Sequence, residues 1–162
     1  GDLPAYRDSA LKFQKGFLLN PIRCETLPFV SHPPRSEKRS PMPILHVEIV
    51  TRPDETLPPN LAAALADRAG QIFNSEPGGT WVKVTFIASQ NYAENLSPAG
   101  SLYPVFVSVL KAALPALPAL QAEAAQLAAA VAQVCDRPQE NVHILYLPEG
   151  TGRVALGGSL LS

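Results

Sequence analysis

Cysteine is scarce in this chain: Cys24 and Cys135 are the only two in 162 residues, and no Cys-x-x-Cys or Cys/His spacing surrounds either one. That excludes a disulfide framework and a zinc module as the basis of the fold, and a reducing cytosol is the expected compartment. Charge is sparse too, at 17% of residues with a net −1, so no global field steers the chain toward nucleic acid. Long apolar runs are missing. Near the start there is only Gly16-Phe17-Leu18-Leu19, and the alanine-rich stretch 110–134 is broken by Pro115, Pro118, Gln121, Glu123 and Gln126. Neither a signal peptide nor a membrane span is expected.

What is present is apolar content of 46%, enough in 162 residues to bury a core in one domain. The charges divide the chain unevenly. Residues 1–41 carry seven Lys/Arg and four Asp/Glu, while residues 42–162 carry six and ten. The first segment also holds six prolines, lacks sustained periodicity and ends in the polar run Pro33-Pro34-Arg35-Ser36-Glu37-Lys38-Arg39-Ser40. It reads as an extension, a linker or a mis-assigned start, and the mixed-sign run as a solvated one.

From Pro43 the pattern becomes regular. Residues 43–50 alternate at period two, with Leu45, Val47 and Ile49 on one face; Pro58-Pro59-Asn60 opens a helix whose Leu61, Leu65, Ala69, Ile72 and Phe73 share a stripe. Pro77-Gly78-Gly79 closes that segment, and residues 81–87 alternate again. The same grammar then repeats. Residues 104–111 form a strand, a helix follows with Leu120, Ala124, Leu127, Val131 and Val134 on one face, and residues 141–146 close the unit. Pro104 lies 61 residues after Pro43, and His143 lies 60 after Lys83.

Two β-α-β units, about 43–102 and 103–162, predict an α/β (α+β) domain with a four-stranded sheet and two helices on one face. The other sheet face needs a cover, so an oligomer is expected. The glycine-rich tail, Gly150 to Gly158, follows the last strand with no helix after it. It predicts a terminal hairpin that pairs with a neighbouring subunit rather than a phosphate cradle.

Met42, the one methionine in the chain, stands directly before Pro43. If Met42 is an initiator that is removed, Pro43 becomes a secondary amine at the start of a buried strand, and such an amine is a base. Burial lowers an amine's pKa from about 7.7–8.0 by disfavouring its charged form. Pro104, which follows Tyr103, is internal and has only an amide nitrogen. His46 and Glu48 alternate on one face of the first strand and read as a surface pair.

Residues 43–162 resemble the tautomerase superfamily, which includes 4-oxalocrotonate tautomerase and macrophage migration inhibitory factor. The resemblance rests on Met42-Pro43 opening the first strand, on the two-unit length, and on the stretch from Asn141-Val142-His143-Ile144 through Arg153-Val154-Ala155-Leu156-Gly157-Gly158. It implies a homotrimer that needs no cofactor or metal, with no nucleic-acid or membrane partner. In it Pro43 moves a proton in a small-molecule keto/enol acid. Position by position, Pro43 is the base. Arg52 sits one residue short of an arginine of the short members, Lys83 falls where they carry another, and His143 takes the place of a tyrosine of the cytokine-like members. Arg52, Lys83 or Arg153 would bind the substrate carboxylate or the developing enolate. The lysine those members carry after the first helix is replaced by Asn74-Ser75-Glu76. Two alternatives stand beside this one: a catalytically silent binding or structural protein with Pro43 blocked by the extension, and a hydratase or dehalogenase of unsaturated acids.

Overall fold

The computed structural model describes residues 42–96 and 102–162; the expectations for residues 1–41 lie outside them. The elements run β1 (Ile44–Thr51), α1 (Leu61–Phe73), β2 (Trp81–Ala88), β3 (Val105–Leu110), α2 (Leu117–Cys135), β4 (Val142–Tyr146), and the short pair β5 (Ala155–Leu156) and β6 (Ser159–Leu160). The main sheet has the order β2-β1-β3-β4. β1 and β2 are parallel, as are β3 and β4, and the two units meet through the antiparallel β1–β3 pair. This is the duplicated β-α-β architecture with four strands and two helices that the repeat period predicts.

Alternation decides which sheet face is buried. Leu45, Val47 and Ile49 of β1 and Val105, Val107 and Val109 of β3 are almost wholly enclosed. They form one cluster with Leu61, Leu65 and Ala69 of α1 and Leu127, Val131, Ala132 and Cys135 of α2. Each fully buried Leu or Val contributes on the order of 1.5–3 kcal/mol. Among the described residues, every member of this cluster lies between Leu45 and Val142, within the compact unit of residues 37–162.

Local chemistry sets the helix ends. α1 stops at Asn74, earlier than the Pro77-Gly78-Gly79 run suggests, because Asn74 takes the left-handed conformation (φ 52°, ψ 45°) that asparagine tolerates, and its N–H reaches back to Gly70 and Gln71 carbonyls. α2 carries Pro118 in its first turn and ends the same way at Asp136 (φ 51°). Among the described residues no helix is long and apolar enough to cross a membrane.

The second sheet face is less uniform. Register places Lys83, His46, Ser108 and Leu145 in one row across it, and Thr85, Glu48, Phe106 and His143 in the next. The tail folds as the expected hairpin, turning on Gly157 (φ 57°) and Gly158 (φ 87°), and β5–β6 form a sheet of their own.

Candidate functional site

Pro43 leads into β1 with its ring fully buried. Its carbonyl accepts the Trp81 N–H at 3.0 Å, which fixes the head of β1 against the head of β2. In the chain as sequenced its nitrogen forms the amide with Met42. The opposing strand ends beside it: Ile44 pairs with Leu110, and Lys111 follows. The Lys111 carbonyl accepts the Gly150 N–H at 2.8 Å, and Arg153 N–H donates to the Gly150 carbonyl at 2.9 Å. The turn carrying Arg153 is therefore anchored at the Pro43 end, with the Arg153 side chain exposed.

Lys83 is exposed on the second sheet face, in register with His46, two residues along β2 from Trp81. His46 Nε2 lies 2.9 Å from the Thr85 hydroxyl. Pro43, Lys83 and Arg153 thus share one end of the sheet.

The other two candidates lie elsewhere in the protomer. Arg52 follows Thr51 at the far end of β1, nine residues from Pro43, or roughly 30 Å along an extended strand. Its guanidinium is committed to Glu55 (3.2 Å), to the Asp136 carboxylate (3.2 Å) and to the Asp136 carbonyl (2.9 Å). His143 lies on β4, at the sheet edge opposite Lys83, in the row of Glu48 and Phe106. Its ring packs on Phe106 at 5.3 Å, and Phe106 packs on Tyr92 at 5.8 Å. The Tyr92 hydroxyl donates to Glu94 at 2.7 Å, and burial, reinforced by that carboxylate, pushes its pKa up to about 12.

Two charge clusters escaped the sequence reading. At the Arg52 end, the buried Arg137 guanidinium meets both oxygens of Glu55 at 2.8 and 2.7 Å. It also donates to the carbonyls of Tyr103, Val50, Cys135 and Asp136. The Arg137 hydrogen bond holds the Glu55 carboxyl below its ordinary range against the opposing effect of burial. At the Pro43 end, buried Lys111 donates to Glu123 at 2.6 Å and stands 5.0 Å over the Phe73 ring, while Tyr146 O–H donates to the other Glu123 oxygen at 3.0 Å. The available signal was slight: Lys111 is a lone charge after an apolar strand, and Arg137 follows Asp136 directly after an apolar helix.

A cleft of about 760 Å³ beside the end of α1 is lined by residues including Gln71, Asn74, Glu76 and Thr80. One of about 520 Å³ beside β2 is lined by residues including Leu57, Leu61, Val84 and Phe86. None of Pro43, Arg52, Lys83, His143 and Arg153 borders either. Among the described residues no group of three or more His, Cys, Asp or Glu is placed to hold a metal ion.

The duplicated β-α-β sheet with both helices on one face is the tautomerase fold. No protein-family model and no curated protein matches the sequence. Solved structures do match. A fused 4-OT wild-type symmetric trimer aligns at TM-score 0.59 with 16% identity, over 72% of this chain and 94% of that one. Macrophage migration inhibitory factor from Oncomelania hupensis aligns at 0.60 with 16% identity, over 75% and 83%. Pt0534 inactivated by 2-oxo-3-pentynoate aligns at 0.59 with 12% identity, over 72% and 94%. At such identities the likeness is one of fold, and it agrees with the resemblance carried by Met42-Pro43 and the tail.

Proposed function

We propose that this chain is a tautomerase of small keto/enol carboxylic acids, acting in the cytoplasm as a homotrimer, with Pro43 as its base once Met42 is lost. The observation that carries the reading is Pro43 itself. It heads the first strand of a tautomerase fold, with its ring fully buried and its carbonyl pinned by the Trp81 N–H at 3.0 Å. As a free amine in that setting its pKa falls, and it is neutral near pH 7. The nitrogen then accepts the enol O–H proton while the oxygen electron pair closes to C=O. The former C=C pair takes the same proton at carbon, so one group serves as base and then as acid. Lys83 and Arg153, at the same end, bind the carboxylate. The structural neighbour inactivated by 2-oxo-3-pentynoate favours a 2-oxo acid, since that inactivator is one. His143 and Arg52 lie too far along the sheet to serve Pro43 of their own protomer, so a role for either requires a second copy.

A binding or structural protein is the second reading. It is favoured by the Pro43 nitrogen being an amide in the chain as sequenced, and by the ion pairs that occupy Arg52. Two measurements separate the readings. The intact mass of the protein from its native source shows whether the mature chain starts at Pro43. Ketonisation of phenylenolpyruvate by polypeptide 43–162 tests the chemistry: Pro43→Ala is expected to lower kcat/KM by about 10²–10⁴-fold with the fold retained. Full activity in that variant removes Pro43 as the base, and a folded but inactive 43–162 favours the binding protein.

A further inference from the structure

Of the two lysines among the described residues, Lys83 is exposed, whereas Lys111 is only 9% exposed. Its place in the ladder is specific. Ile44 and Leu110 are the last registered pair of β1 and β3, and Pro43 and Lys111 come one step beyond. Pro43 directs its carbonyl to Trp81 on β2, and Lys111 directs its own to Gly150 beyond β4. Their backbone polar groups thus turn away from each other. This is the non-hydrogen-bonded kind of antiparallel pair, in which facing side chains approach most closely. By alternation both side chains lie on the helix face, with Leu45 and Val109.

There the ammonium is fixed by Glu123 at 2.6 Å and by the Phe73 ring at 5.0 Å. Glu123 is itself held by Tyr146 O–H at 3.0 Å. Burial, then the charge of Glu123, push the Tyr146 phenol well above its ordinary pKa. An apolar pair of similar volume would close this end of the sheet without the desolvation of two charges.

We infer that Lys111 is a positioning residue for Pro43: its buried ammonium, held by Glu123 beside the head of β1, keeps the proline nitrogen unprotonated at neutral pH once that nitrogen is a free amine. The inference rests on the reading of Pro43 as the mature N-terminus. Among the described residues, the ionisable groups facing this end are Lys111 just after β3, Glu123 from α2 and Tyr146 from β4. The last turn of α1 adds only Gln71, Ile72 and Phe73, with Glu76 beyond it. His46 and Lys83 lie on the other face. In the turn after β4, Glu149 accepts the Leu114 N–H at 2.9 Å and Arg153 is exposed. Lys111 holds the ladder position directly across from Pro43, whereas Glu123 comes from α2. The cation therefore dominates, and it disfavours a second positive charge on the proline.

The test is the titration of the secondary-amine resonance in ¹⁵N-proline-labelled polypeptide 43–162, with circular dichroism as the check on fold. Lys111→Met should raise the amine pKa by about 1 pH unit. Lys111→Met/Glu123→Gln, which removes both charges and keeps the volume, should fall between Lys111→Met and the parent. Lys111→Arg should stay near the parent. A double variant that titrates with the parent overturns the inference, even if Lys111→Met alone fails to fold. The acid limb of the kcat/KM profile for phenylenolpyruvate should move in step with the titration. If every form is inactive while the titration shifts as stated, the inference stands and the tautomerase reading falls.

Discussion

Arg137 and Glu55, 82 residues apart in sequence, form a two-pronged ion pair at 2.8 and 2.7 Å, with the arginine side chain 1% and the glutamate side chain 10% exposed. Four backbone carbonyls take the remaining guanidinium hydrogens, so the pair joins the end of β1, the start of β3 and the end of α2. Removing one partner of a buried pair strands the other charge. Arg137→Met should therefore lower the unfolding free energy by about 3–5 kcal/mol in urea titrations, and a loss below about 1 kcal/mol would show that the pair closes the two units without holding them.

The same pair sets an acid limit on stability. The folded-state pKa of Glu55 lies below its ordinary value of 4.5, first because of the Arg137 hydrogen bond. As pH falls, the unfolded chain therefore takes up this proton before the folded one does. The contribution of the pair is whole above the ordinary carboxylate range and is lost as pH drops through the lowered folded value. In thermal melts from pH 7 to pH 3, Glu55→Gln should start lower and lose less on acidification than the parent. Parallel curves would remove Glu55 as the group responsible.

The ends of the fold explain what the sequence did and did not disclose. Alternation in β1 and β3 and the stripe of α1 were legible because one face of each is enclosed, and burial writes itself into period two or period 3.6. The direction in which the two units meet was not, since antiparallel pairing of β1 with β3 leaves the same alternation as parallel pairing. Arg137 and Lys111 were overlooked for a related reason: a charge beside an apolar segment looks solvated until a distant carboxylate closes on it. Of the proposed site, Pro43, Lys83 and Arg153 gather at one end of the sheet, whereas repeat equivalence singled out His143 without showing that β2 and β4 are opposite edges.

The terminal hairpin depends on two consecutive residues with positive φ, Gly157 at 57° and Gly158 at 87°. A side chain at the second is strained by about 1–2 kcal/mol. Gly158→Ala should therefore speed amide exchange at Leu161, whose N–H donates to the Val154 carbonyl at 2.8 Å, by about fivefold or more. Exchange in the β1–β3 ladder should stay unchanged, because β5–β6 are not part of that sheet. Faster exchange at both places together would mean that the hairpin and the main sheet unfold as one unit.

The second sheet face provides the test of assembly. Leu145 is 60% exposed and Trp81 44% exposed in the protomer, on the two edge strands, with Lys83, His46 and Ser108 in the row of Leu145. An exposed leucine contributes little to the stability of its own protomer, and exchanging it for lysine alters that stability by about 0.5 kcal/mol or less. Where the proposed homotrimer buries this row, the same exchange brings an ammonium into the contact of every copy at the cost of its desolvation. Leu145→Lys should therefore sediment as a monomer where the parent sediments as a trimer, while its unfolding at low protein concentration stays close to that of the dissociated parent. If the variant still sediments as a trimer, the copies meet elsewhere, and the exposed Leu160 of the hairpin (63%) is the next position at which to place the lysine.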